Sequence, residues 1–160
     1  AERAPEWGTV RQVMRWSDPL LDGLGLEARM PDGIAVKTVP EADAFTEAQR
    51  LEFRREVIAS YIGVTTADYL LADTASLVLL GGRGRARSVS LVPSIHVAVV
   101  PKSRMLGSYR QMLSRLNARS LPSNISIITG PSKTADIEAT LVHGAHGPRE
   151  MHLFVVGAVE

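Results

Sequence analysis

The chain has 160 residues, 45% hydrophobic and 22% charged, with a mean hydropathy of +0.04, the profile of one soluble domain large enough for a proper core. A formal net charge of +1 supplies no concentrated basic face for nucleic acid, and the apolar runs are too short to span a bilayer. With no cysteine, the chain excludes disulfides, thiolate zinc sites, its own iron–sulfur ligation and cysteine nucleophiles, so redox chemistry would have to come from a cofactor or a partner.

In chain order, residues 1–44 carry the least information, and no function is assigned to them. Residues 7–16 suggest a short helix ended by Asp18-Pro19, because the residue before a proline avoids the helical region. Gly23, Gly25, Pro31, Asp32 and Gly33 punctuate the next stretch, and residues 34–39 alternate like a strand closed by Pro40. The N-terminus shows no signal-peptide core, so a cytoplasmic location is expected. Because residue 1 is alanine rather than methionine, part of the natural N-terminus is expected to be missing.

Residues 46–61 predict a helix with Thr46 as N-cap. Phe53, Val57 and Tyr61 fall on one line and Leu51 and Ile58 on another, which predicts two contact surfaces. In residues 62–80, Asp68 and Asp73 stand among apolar neighbours, and 76–80 read as a buried strand. Either acid caps a turn, or Asp73, Thr74 and Ser76 stand at a ligand pocket. The segment GGRGRAR (81–87) lacks the third glycine of a dinucleotide fingerprint and predicts a hairpin turn with solvated arginines. Its alternative is an anion-binding flap of Arg83, Arg85 and Arg87. An apolar-alternating stretch, 88–91, comes next. Residues 95–100 read as a buried strand in which His96 is a hydrogen-bonded core residue unless it meets Asp68 or Asp73. A helix over 106–117 puts Leu106, Tyr109, Met112, Leu113 and Leu116 on one face, and residues 125–128 and 151–156 are strands. Strands alternating with helical segments give an α/β domain with a largely parallel sheet, and the hairpin at Gly82 allows some antiparallel pairing.

The chemistry concentrates in TGPSKTADIEATLVHGAHGPRE, residues 129–150. Gly130 permits close backbone approach, Ser132 and Thr134 offer hydroxyls, and Lys133 supplies charge. A helix beginning near Thr134 would point free N–H groups at an anion. The spacing is not that of a Walker A loop, so a nucleotide triphosphatase is not expected. Asp136 and Glu138 share a face only on a strand. His143 and His146 lack further metal-ligand neighbours, which leaves no metal site expected, and His152 reads as a residue of the final strand.

The stretch GPSKTADIEATLVHGAHGPREMHLFVV resembles the C-terminal signature of the LUD domain in the lactate-utilisation protein C family, GPS-[RK]-TADIE and then G-x-HGP-[RK]. GVTTADYLLADTASLVLL and SVSLVPSIHVAVVP match two further family stretches in the same order, so the resemblance covers roughly residues 62–157. Asp73-Thr74-Ala75-Ser76 stand where the family commonly has Glu-Thr-Gly-Thr, which shortens the acid and removes a glycine. The resemblance implies a single domain, with 45–160 as its core, built as a three-layer α/β sandwich. That fold is similar to the superfamily of glucosamine-phosphate isomerase, ribose-phosphate isomerase and CoA transferases. It also implies a role in oxidising L-lactate to pyruvate beside iron–sulfur partner proteins, with the clusters held by those partners and no cofactor in this chain.

Two alternatives stand beside that subunit role. One is an enzyme acting on a phosphorylated or CoA-linked acid, with Asp136, Glu138 or Asp73 as base or nucleophile; the other is a sensor binding a small organic anion. The site expected in each case gathers Asp68, Thr74, Ser76, Gly130, Ser132, Lys133, Thr134, His143, His146 and Arg149.

Overall fold

The computed structural model describes residues 11–42, 44–116, 122–135, 141–143 and 146–157. In chain order the elements are β1 (Gln12–Arg15), α1 (Pro19–Gly23), α2 (Leu26–Arg29), β2 (Ala35–Thr38), α3 (Glu47–Ala59), β3 (Ile62–Thr66), β4 (Tyr69–Leu71), β5 (Ser76–Leu80), α4 (Ser88–Leu91), β6 (Ile95–Pro101), β7 (Met105–Leu106), α5 (Tyr109–Arg115), β8 (Ile125–Ile128), β9 (Lys133–Ala135), β10 (Leu141–His143) and β11 (Glu150–Val156).

Five of these strands form one sheet in the order β2-β1-β3-β6-β11, with every neighbouring pair parallel. Buried strands of a parallel sheet are apolar on both faces, and β3 and β6 read accordingly, with Val64, Ala98, Val99 and Val100 in the core. Residues of opposite parity on β1 show what covers the two faces. Gln12 donates to the Glu56 carbonyl at 2.7 Å and to Ser60 Oγ at 3.0 Å, so one face carries α3. Arg15 points the other way and pairs with Asp22 and Glu27 of α1 and α2, each at 2.7 Å. The domain is thus a three-layer α/β sandwich. A second sheet, β7-β4-β5-β8, is antiparallel except at β4/β7. Its Leu70, Leu77 and Leu79 enter the main core, and Leu71, Val78 and Leu106 on its other face enclose Met112 of α5.

In this doubly wound strand order the chain reverses direction between β1 and β3, where the carboxyl ends of the strands usually leave a ligand crevice. Here that position is filled. Asp18, 2% exposed, caps α1 by accepting from the Leu20 N–H at 3.0 Å and also accepts from Thr66 Oγ1 at 2.9 Å. The Arg85 guanidinium bridges Asp18 and Asp68 at 2.8 Å each and lies over the Trp16 ring, 5.6 Å from its centroid. Asp68 gives its second oxygen to the Leu80 N–H at 2.8 Å, and Trp16 Nε1 donates to the Ala86 carbonyl at 2.9 Å.

Several local expectations change. Residues 12–15 are a strand, and Asp18-Pro19 starts a helix, because the Asp18 carboxylate caps it and proline suits its first turn. Residues 81–87 are not a strand-to-strand hairpin. They carry a bridge between Gly82 and Arg85 and lead into α4, which replaces the alternating stretch. The antiparallel pairing comes from β5 with β4 and β8. Arg85 is paired rather than solvated, since two carboxylates converge on it. The helix expected near Thr134 is strand β9, paired antiparallel to β10. Leu106 belongs to β7, and α5 begins after Ser108, whose side chain accepts from the Gln111 N–H. On α3, capped by Thr46 as expected, Val57 is buried while Leu51 and Ile58 stay 49% and 64% exposed, so only one of its two apolar lines packs. Among the described residues, no helix is long and apolar enough to cross a membrane.

Stability measurements test two of these features. Arg85→Ala leaves the buried Asp18 carboxylate without its cation, and chemical denaturation should show a loss of about 3 kcal/mol. Ala75 holds φ at 52°, a region that favours glycine, where the family resemblance expects glycine. Ala75→Gly should therefore raise stability by roughly 1 kcal/mol in the same assay.

Candidate functional site

A cleft of about 270 Å³ opens at the amino ends of β3, β6 and β11. Its position is set by register: Met151, His96 and Gly63 lie side by side across the three strands. Gly63 is required there, because a Cβ would run into the Val89 carbonyl oxygen and meet the Pro93 ring at 3.1 Å. That close approach lets α4 sit down on β3 and bring Ser90 and Leu91 to the cleft wall. The opposite wall comes from Ile127 to Ser132 and from the second Gly-Pro turn, His146 to Pro148. A hydrogen bond from the Ser132 N–H to the Pro148 carbonyl, 2.8 Å, clamps the two turns together. The Arg149 N–H bonds the Ser94 carbonyl at 2.8 Å, which ties the second turn to β6.

His96 is wholly buried, yet it lines this cleft. It lies on the same face of the sheet as Thr65, two residues along the neighbouring strand, and its Nε2 is 2.8 Å from Thr65 Oγ1. Among the described residues, its Nδ1 is the one buried side-chain nitrogen or oxygen without a partner. Burial holds its pKa down to about 4, so the ring is neutral at neutral pH. No described residue lining the cleft is acidic. Its lining combines Leu91, Ile127, Ile128 and Met151 with hydroxyls and the His96 ring, whose buried Nδ1 has no partner among the described residues. Such a surface can hold a small molecule that has an apolar body and acceptor oxygens.

The structure brings some of the expected site residues together and separates others. Gly130, Ser132 and His146 line the cleft. Lys133 and Arg149 are exposed, each one residue beyond a cleft-lining residue. Ser76 reaches the cleft through Thr129, with their hydroxyls 2.9 Å apart. The run continues from Ser76 to Thr74 at 2.8 Å and from Thr74 to the exposed Asp73 at 3.3 Å. Asp68 has both oxygens engaged in the Arg85 cluster at the carboxyl end of the sheet. Thr134 lies on β9 and His143 on β10, in a register that sets His143 opposite Lys133. Asp136 and Glu138 lie outside the described residues. His152 is exposed and pairs with Glu150 at 3.2 Å. No group of three or more His, Asp or Glu side chains among the described residues is placed to hold a metal ion.

The sequence reads His96 as a hydrogen-bonded core residue, and Thr129, Ser90 and Met151 fall outside the expected set of site residues. The available signal was polar residues in buried strands, Thr65 beside Thr66 in β3 and His96 in the otherwise apolar β6, both in stretches that carry the family resemblance.

The buried imidazole links stability to pH. A folded-state pKa of about 4, below the ordinary 6.5, means that the unfolded chain takes up the proton first as pH falls. The His96 contribution is fully present above pH 6.5 and is lost as pH falls from 6.5 towards 4, about 3 kcal/mol in all. Urea titrations across this window should show that slope, and His96→Asn should flatten it.

Comparison with known proteins places the chain. A family model described as "LUD domain" matches residues 8–156. A protein named Lactate utilization protein C from Halalkalibacterium halodurans is 39% identical over 88% of this chain, and one of the same name from Macrococcus caseolyticus is 33% identical over 91%. The chain spans only 60% and 61% of the length of these two relatives. A crystal structure of a DUF162 family protein from Deinococcus radiodurans superposes with a TM-score of 0.49 at 19% identity, covering 92% of this chain and 88% of that one. With the match running through both sheets and both walls of the cleft, this chain belongs to the LUD domain family.

Proposed function

We propose that this domain is a non-redox component of a system that oxidises L-lactate to pyruvate, working with iron–sulfur partner proteins. Lactate loses two electrons and two protons on becoming pyruvate, and those electrons need a carrier. This chain has no cysteine and hence no thiolates for clusters. The observation that carries the reading is the similarity, over 88% and 91% of this chain, to two proteins named Lactate utilization protein C. The domain's own part is to bind a small organic anion in the cleft, with Lys133 and Arg149 at its margin supplying positive charge. A stand-alone enzyme or a sensor would use the same cleft but would need no iron–sulfur partner.

Affinity purification of the tagged full protein from lactate-grown cells checks the subunit role. Iron–sulfur proteins should co-purify, and the purified protein alone should give no lactate-dependent dye reduction. Recovery of the protein by itself, or dye reduction without partners, would sink the proposal.

A further inference from the structure

We infer that the cleft at the amino ends of β3, β6 and β11 binds a small monocarboxylate, one oxygen of which accepts a hydrogen bond from Nδ1–H of His96. The first ground is the unpartnered Nδ1 on a wholly buried side chain that lines a cavity. A buried polar group without a partner is costly, and a ligand atom would complete it.

The direction of that bond is set by Thr65. Its side chain is fully buried, and among the described residues its hydroxyl has His96 Nε2 as its partner, at 2.8 Å. If Nε2 carried the ring proton, the threonine hydroxyl would have to find another acceptor inside the core. With the hydroxyl donating to Nε2, the proton sits on Nδ1, and the open position is a donor. Thr65 is thus a positioning residue that selects the tautomer, and the free N–H calls for an acceptor oxygen.

The rest of the cleft narrows the ligand class. No described lining residue is acidic, so nothing there repels an anion or recruits a cation. Ser132 and Thr129 contribute hydroxyls, and Leu91, Ile127 and Met151 contribute apolar surface for a short carbon chain. A volume of about 270 Å³ lies at the lower edge of the ~300–1,000 Å³ typical of ligand pockets, which favours a small acid over a coenzyme. The carboxylate class rests on the cleft itself; the choice of L-lactate and pyruvate as probes, with acetate as a control, rests on the proposed function.

The experiment uses the purified full protein with imidazole-labelled histidine. Proton–nitrogen correlation spectra should show His96 as the neutral Nδ1–H tautomer. Titrated pyruvate or L-lactate should shift its Nδ1 resonance saturably, and calorimetry should give the same dissociation constant. His96→Leu should weaken binding about tenfold or more, whereas His96→Asn, which keeps an N–H near the position of Nδ1, should retain most of it. Thr65→Val should shift the tautomer balance and weaken binding without touching the ligand. Acetate binding as tightly as pyruvate would keep the carboxylate site and exclude discrimination by the second oxygen. An Nε2–H tautomer, or no saturable shift with any of the three acids, would overturn the inference. Both measurements are made on the wild-type protein and need no partner, so failure here leaves the co-purification result standing, and the reverse also holds.

Discussion

Arg85 between Asp18 and Asp68 is the contact on which the rest of the domain depends. Three chain segments far apart in sequence meet at it: the exit of β1, the exit of β3 and the turn before α4. Asp18 could not be buried alone, since an unpaired carboxylate in a low-dielectric interior neutralises or forces the structure open. Its helix cap, the Thr66 hydroxyl and the guanidinium supply the missing partners together. Trp16 covers the arginine and fastens to the Ala86 carbonyl, so the turn 81–87 is held against the sheet rather than left in water.

That cluster also occupies the place where a doubly wound sheet usually keeps its ligand. The crevice between β1 and β3 is plugged by paired charges, and a cavity lies at the other end of the sheet. Two features hold it open there. Gly63 removes the side chain that would push α4 away, and the Ser132 to Pro148 hydrogen bond joins two Gly-Pro turns that are separated in sequence by β9 and β10. His96 sits beneath them as a neutral, oriented imidazole. A rigid sheet thereby positions its polar nitrogen, and the loops supply the variable part of the wall.

These two polar clusters among the described residues therefore have opposite characters. At the carboxyl end every described carboxylate oxygen of Asp18 and Asp68 is matched by a donor, which gives a structural joint. At the amino end, among the described residues, the charges are sparse and a single buried nitrogen is unmatched, which leaves an opening for a ligand. Matched networks rigidify, whereas unmatched buried groups ask for a partner. The relatives named for lactate utilisation are longer than this chain, which spans 60% and 61% of their length.

Much of this could be read from the sequence. The apolar runs at 76–80, 95–100, 125–128 and 151–156 are strands because continuous or alternating hydrophobic residues bury whichever way a sheet is assembled. Thr46 starts α3 because its capping interactions are local. The turns at Gly130 and Gly147 stand out in the sequence because glycine, proline and hydroxyl residues gather where backbone must approach closely, and both turns line the cleft. Only the tertiary structure decided the long-range pairings. Asp68 read as a turn cap or a ligand-site residue, Arg85 as a solvated arginine or part of an anion flap, and residues 7–16 as a short helix ended by Asp18-Pro19, because nothing local says that Asp18 and Arg85 meet across 67 residues. His96 read as a satisfied core residue, and one of its nitrogens is. The other is free only because strand register brings Gly63, Met151 and the Gly-Pro turns around it, and register between distant strands is a property of the assembled sheet, beyond the reach of any single stretch of sequence.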